Sequence, residues 1–159
     1  MITSELVDQA CSEVNGYTDD RMMTEFDVFF REQPSICDFI TELTSESSMP
    51  IQELSLFLSY MVFKTVKMGQ PDSFAQITPE RIESAYRESE TWIDRINQEG
   101  DRAQIPADPE PYLIQYVISE LNQPLENGKL LEDEEKGEVF FVLKTVISSL
   151  TRSPLGQEI

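Results

Sequence analysis

The sequence predicts an all-α protein, and three features of the 159-residue chain support this prediction. Apolar residues recur at three- and four-residue spacing through almost the whole chain, as on one face of a helix. No segment shows the sustained alternation of apolar and polar residues that is typical of a half-buried strand. Short motifs of the first half also return in the second half in the same order. We therefore predict a compact, single-domain helical bundle built from a tandem duplication of a roughly 75–80-residue helical unit, with two central buried helices.

The predicted repeat depends on three pairs of matching segments. The pairs are Ile2-Thr3-Ser4-Glu5 with Ile77-Thr78-Pro79-Glu80, Gln33-Pro34-Ser35-Ile36 with Glu110-Pro111-Tyr112-Leu113, and Val62-Phe63-Lys64-Thr65-Val66 with Val142-Leu143-Lys144-Thr145-Val146. Each match is short, but three matches in one order are hard to obtain by chance. Residues 1–76 and 77–153 are the predicted repeats, and residues 154–159 are the predicted flexible tail.

Four helices are predicted in the first half. The first helix begins after a cap at Thr3 or Ser4 and ends before Gly16. A short second helix ends before Pro34, which suits the first turn of the third helix. The fourth helix spans residues 50–68 and is apolar around most of its circumference, so we expect it to be buried on several sides. The apolar positions of the first three helices are Leu6, Val7, Ala10, Cys11 and Val14, then Met22, Met23, Phe26, Phe29 and Phe30, then Ile36, Phe39, Ile40 and Leu43.

A long helix is predicted to open the second half. Thr78 is suited to cap it, and Pro79 to occupy its first helical position. The helix runs toward Gly100, and Pro106 and Pro109 then mark a linker.

Two more helices complete the second half. The first spans residues 111–121, and Asn127-Gly128 then turns the chain. Asp133 is the predicted cap of the last helix, which is apolar on most sides. We expect this helix to be the partner of residues 50–68, with the two crossing near a pseudo-twofold axis.

The second predicted helix breaks the repeat. Its phenylalanines, Phe26, Phe29 and Phe30, have no apolar counterpart in residues 101–109. Two interpretations follow from this difference. The segment is either a lid over the core, which we favour, or a recognition surface for a partner.

Four residues are candidates for a ligand pocket. Lys64 and Lys144 occupy equivalent places in two Lys-Thr-Val motifs within very apolar helices. Near a helix C-terminus a lysine interacts favourably with the helix dipole and lays its stem along apolar surface, which is the structural interpretation. The alternative is a pair of cations flanking a pocket for an anionic ligand. Tyr86 and Trp92 lie on the inner stripe of the long helix, where core packing is favoured over an aromatic ligand cage.

The absence of histidine limits the chemistry that the chain can perform. It excludes Ser-His-Asp and Cys-His catalysis, histidine zinc sites and the Glu-x-x-His di-iron pattern. The two cysteines, Cys11 and Cys37, cannot complete a four-cysteine zinc site, and no glycine-rich phosphate loop is present. The acidic residues 132–138 do not fit a calcium-binding loop and are interpreted as a solvated helix N-terminus. We therefore predict no catalytic residue, metal site or cofactor.

The net charge of the chain limits the classes of partner that it can bind. The formal net charge is −18, and both halves are acidic. Such a surface is repelled by nucleic-acid phosphates and anionic membranes, so neither is an expected partner. The N-terminus does not resemble a signal peptide, and the longest apolar stretch, residues 54–66, is too short to span a bilayer. We expect a cytoplasmic protein with its cysteines buried as free thiols.

Two functional hypotheses remain after these exclusions. The preferred one is a non-catalytic, acidic helical module that docks a protein partner, either a basic protein or a second copy of the chain. The alternative is a carboxylate-based ligand-binding or divalent-cation-binding protein, or an enzyme, with its site between the two halves. The absence of histidine favours the first hypothesis.

Overall fold

The computed structural model describes residues 1–70, 75–99 and 109–151, with the side chains of all but residues 96–99. Within these ranges every regular element is an α-helix, and the all-α prediction is confirmed. The predicted linker at Pro106 and the tail at 154–159 lie outside the described residues. The helices are α1 Ser4–Asn15, α2 Asp19–Glu32, α3 Pro34–Leu43, α4 Met49–Gly69, α5 Pro79–Glu99, α6 Pro111–Leu121 and α7 Asp133–Thr151. No helix in the described ranges has both the length and the apolar character needed to cross a membrane.

The helix starts follow local capping chemistry. The Thr3 hydroxyl accepts a hydrogen bond from the backbone amide of Leu6, and Thr78 accepts one from Arg81 in the same way at the start of α5. Proline occupies the first turn of α3, α4, α5 and α6, where its missing amide proton costs nothing. At the turn before α7, Gly128 has a φ of 82°, a left-handed conformation that favours glycine.

The two long helices α4 and α7 form the centre of the core. They pack against each other more extensively than any other pair of helices in the described residues. Both are buried along most of their length, and each has ten buried residues among those that the structure describes. The buried residues are Ile51, Ser55, Leu58, Ser59, Tyr60, Met61, Val62, Phe63, Thr65 and Val66 of α4 and Val139, Val142, Leu143, Lys144, Thr145, Val146, Ile147, Ser148, Ser149 and Leu150 of α7.

The remaining helices pack in a pattern that is the same in both halves. In the first half α1 and α3 pack on α4, and in the second half α5 and α6 pack on α7. Across the halves, α3 packs on α5 and α6 packs on α1. Among the described residues, α2 has no counterpart in the second half. This is the pattern that a duplicated unit would produce.

Two buried side chains tie the halves together at equivalent places. Gln33, just before α3, accepts a hydrogen bond from the backbone amide of Ile77 at 2.8 Å and donates one to the carbonyl of Ala75 at 3.0 Å. Glu110, just before α6, accepts from the amide of Ile2 at 2.7 Å. Each side chain therefore satisfies the backbone at the start of the other half's first helix. The Gln33 segment thus contacts the Ile77 segment, and the Glu110 segment contacts the Ile2 segment.

Candidate functional site

The phenylalanines of α2 differ in their exposure to solvent. Phe29 is fully buried, and its ring centroid lies 4.8 Å from that of Phe63 on α4. Phe26 packs on Tyr60, with the centroids 5.2 Å apart, and is half-buried. Phe30 is 41% exposed. Of the three candidate interaction residues, only Phe30 and part of Phe26 therefore face solvent.

Lys64 lies in a charged cluster that joins α1, α2 and α4. Its ammonium nitrogen is 3.1 Å from the Glu13 carboxylate, 4.0 Å from that of Glu25 and 5.5 Å from the centre of the Tyr17 ring. The Tyr17 hydroxyl donates a hydrogen bond to Glu25 at 3.0 Å. Burial lowers the pKa of Lys64, but hydrogen bonds to Tyr17 and Glu13 outweigh burial and leave that pKa above its ordinary value. Lys64 is therefore positively charged at neutral pH, and its ion pairs link α4 to α1 and α2.

Lys144 lies between α5 and α7 and is 1% exposed. Its ammonium nitrogen donates a hydrogen bond to the Ser148 hydroxyl at 3.2 Å and lies 5.5 Å from the centre of the Trp92 ring. Trp92 stacks on Phe140, with the centroids 5.6 Å apart. The structure thus brings two of the four predicted pocket residues together, Lys144 and Trp92. Each of the two lysines faces an aromatic ring, Tyr17 for Lys64 and Trp92 for Lys144, at the same distance of 5.5 Å.

The fourth predicted pocket residue, Tyr86, lies in a groove between α3 and α5. Its ring makes edge contacts with Phe141 of α7 and Phe39 of α3, at centroid distances of 5.0 and 6.3 Å. The groove has a volume of about 430 Å³. It is lined by Ser35, Asp38, Phe39, Glu42, Leu43, Pro79, Ile82, Glu83 and Tyr86. It lies between helices of the two halves.

The groove has an apolar floor and carboxylate rims. Phe39 and Leu43 of α3 are one turn apart, and so are the half-buried Tyr86 and the buried Ile82 of α5. These four side chains form the floor. The exposed carboxylates are Asp38 and Glu42 on the α3 rim and Glu83 on the α5 rim. Because positions one turn apart share a helix face, each helix presents both a strip of floor and a strip of rim.

The two rims differ in electrostatics. Glu83 is paired with Arg87, one turn along α5, at 2.6 Å. Neither Asp38 nor Glu42 forms an ion pair with any side chain that the structure describes. The α3 rim therefore carries uncompensated negative charge, whereas the α5 rim is neutralised locally.

Sequence reasoning identified Tyr86 but missed the rest of the groove. The missing residues belong to α3, and their proximity to Tyr86 follows from packing between the halves, which no local pattern encodes. One signal was available in α3 itself. Asp38 and Glu42 are spaced one turn apart beside Phe39 and Leu43, which is the pattern of a charged rim next to an apolar strip.

Neither metal nor thiol chemistry is supported elsewhere in the described residues. Within them, no group of three or more Asp, Glu or Cys side chains is arranged to hold a metal ion. Burial raises the pKa of the Cys37 thiol to about 12. Burial also raises the pKa of Cys11, although a hydrogen bond with Tyr116 opposes it. Because the thiolate is the reactive form, both cysteines are poor nucleophiles at neutral pH.

Comparison with known proteins matched no family model, no curated protein and no solved structure. The groove and its charges therefore provide the basis for a functional inference.

Proposed function

We propose that this protein is a non-catalytic, acidic helical interaction module that docks a basic protein partner in the α3–α5 groove. The observation that carries the proposal is the groove itself, in which three exposed carboxylates border an apolar aromatic floor. Aromatic side chains on such a floor bury large apolar areas when a partner's side chain enters. The carboxylates select for a cationic surface around that anchor.

The charge of the whole molecule supports the same partner. A net charge of −18 attracts a basic protein over distances of about a Debye length and repels nucleic acids. Attraction of this kind speeds association and selects the partner, while the apolar floor supplies most of the affinity. We accordingly propose no direct nucleic-acid or membrane partner.

Self-association is the second docking mode that we propose. Met23 and Phe30 of α2 are large apolar side chains that are 68% and 41% exposed. They lie about two turns apart and therefore on the same face of α2. The net charge opposes pairing of two copies, so this mode needs added salt.

The alternative function is a carboxylate-based ligand or cation site in the same groove. It is supported by the position of the groove between the two halves and by the carboxylates beside its apolar floor, which suit an organic cation. The three carboxylates are not arranged to hold a metal ion. A thermal-shift series with divalent cations and cationic metabolites separates the two functions, because only a ligand that binds the native state raises the melting temperature.

Neutralising the rim tests the docking function. The triple variant Asp38→Asn, Glu42→Gln, Glu83→Gln is expected to bind a basic helical peptide about tenfold more weakly than the unmodified chain. The control triple Glu53→Gln, Glu126→Gln, Glu134→Gln makes the same charge change at exposed carboxylates outside the groove. Equal weakening in both triples, measured by fluorescence anisotropy, would show that only net charge matters and would reject the groove as the site.

We also propose that the chain arose by tandem duplication and acts in the cytoplasm. The equivalent helix pairs of the two halves and the reciprocal contacts of Gln33 and Glu110 support the duplication. The free thiols of Cys11 and Cys37 suit a reducing compartment.

A further inference from the structure

We infer that the segment of the partner that enters the α3–α5 groove is an amphipathic α-helix with its basic residues along one flank, the flank that faces α3. We infer further that Arg87 weakens this association by competing for Glu83. Both statements rest on the proposed docking function and specify its partner.

The shape of the groove favours a helix over an extended peptide. Its lining spans residues 35–43 of α3 and 79–86 of α5, about two turns of each helix or roughly 12 Å. Such a length accommodates apolar anchors one turn apart on a third helix. An extended peptide gains affinity by backbone hydrogen bonding to a sheet edge, and the described residues contain no strand. A helix satisfies its own backbone and needs only side-chain contacts.

The apolar floor of the groove determines which side chains of the partner can act as anchors. Phe39 of α3 and Tyr86 of α5 meet in the floor, where their rings are in edge contact at a centroid distance of 6.3 Å. Leu43 and Ile82 complete an apolar strip with its long axis along the helices. Aliphatic side chains such as leucine, at positions i and i+4 of the partner, match this strip.

The charges of the rims set the orientation of the partner about its own axis. Asp38 and Glu42 are one turn apart and have no ion-pair partner among the described side chains, so they attract two cations at the same spacing. On the other rim Glu83 is already engaged by Arg87 at 2.6 Å. A basic residue approaching α5 must displace Arg87 and is repelled by it. The cations of the partner are therefore favoured on the α3 side.

The test uses a short amphipathic helical peptide with two leucines one turn apart and lysines along one flank, labelled for fluorescence anisotropy. Asp38→Asn with Glu42→Gln is expected to weaken its binding roughly tenfold, and Glu83→Gln by less than about twofold. Arg87→Gln is expected to tighten binding about two- to fivefold, because it removes a like charge and releases Glu83. The control is Arg21→Gln, which removes the arginine of a similar one-turn pair on α2 and makes the same change in net charge.

The outcomes distinguish this inference from the function on which it rests. If the peptide binds but Arg87→Gln and Arg21→Gln have the same effect, docking stands and the role of Arg87 is rejected. If a scrambled peptide of the same composition binds equally well, docking stands and the helical partner is rejected. If neither peptide binds even at low ionic strength, the docking function fails and the inference fails with it.

Discussion

Single residues decide what α2 does, and Phe29 is the clearest case. Its side chain is fully buried against Phe63 and Tyr60, whereas its neighbour Phe30 is 41% exposed. Replacing Phe29 by alanine removes most of a buried ring and leaves a cavity. Phe29→Ala is therefore expected to lower the free energy of unfolding by about 3 to 5 kcal/mol. Equilibrium denaturation measures this loss.

Phe30→Ala is the matched control for this prediction. Its loss of stability should stay under about 1 kcal/mol, because the ring is already partly hydrated. A loss under about 1 kcal/mol for Phe29→Ala as well would mean that α2 does not cover the core in solution.

The two Lys-Thr-Val lysines show why residue roles are hard to infer from the sequence. Lys64 and Lys144 have the same local motif, and each ammonium lies 5.5 Å from an aromatic ring. Yet Lys64 is partly exposed in an ion-paired cluster, while Lys144 is enclosed between α5 and α7. The difference comes from the neighbouring helices. The motif alone therefore cannot distinguish a partly exposed, ion-paired lysine from a buried one.

At the level of the helix, two glycines with different surroundings offer a matched pair of substitutions. Gly137 is an interior position of α7, and a Cβ atom built there meets nothing within 4 Å. Gly137→Ala is therefore expected to stabilise the protein by about 0.5–1 kcal/mol through helix propensity. Thermal or chemical denaturation measures the gain.

Gly69, the last residue of α4, supplies the contrast. A Cβ atom there would lie 3.1 Å from Leu6 Cδ2 and 3.3 Å from Ile2 Cδ1, closer than most such contacts. Crowding should cancel the propensity gain, so Gly69→Ala is expected to be neutral or destabilising. A stabilisation equal to that of Gly137→Ala would show that α1 does not pack closely on the end of α4.

Helix boundaries were predictable because their determinants are local. Thr3 and Thr78 cap helices as their sequence context predicts, and prolines occupy first turns. The start of the last helix, α7, shows the limit of such rules. Asp133 is its first residue, and the backbone amide of Glu132 donates to the Glu135 carboxylate, a pairing one position away from the predicted cap.

The candidate groove could not be predicted from local rules. It requires α3 of the first half to pack against α5 of the second, whereas periodicity reports only which face of each helix is apolar. The predicted repeat implied that α4 and α7 pack together, but it did not imply the exchange of partners between the outer helices. That exchange brings Asp38 and Glu42 to the same groove as Tyr86.

At the scale of the whole molecule, this exchange of partners makes each half depend on the other. Helix α3 packs on α5, α6 packs on α1, and the largest helix contact joins α4 to α7. Gln33 and Glu110 also hold backbone amides of the opposite half. A half alone would leave the apolar face of its central helix in water, and a chain of that size has little other core to offset the loss.

Separate fragments test this dependence. Residues 1–76 and 77–159, purified apart, are each expected to show low helicity by far-UV circular dichroism and no cooperative unfolding. Mixed in equal amounts, they should gain helicity and elute together as one complex on size-exclusion chromatography, because the contacts between the halves then form. Both fragments are acidic, so the yield of complex should rise with salt as repulsion is screened. A fragment that unfolds cooperatively by itself would show that its own three or four helices suffice for a core. Packing between the halves would then not be needed for folding.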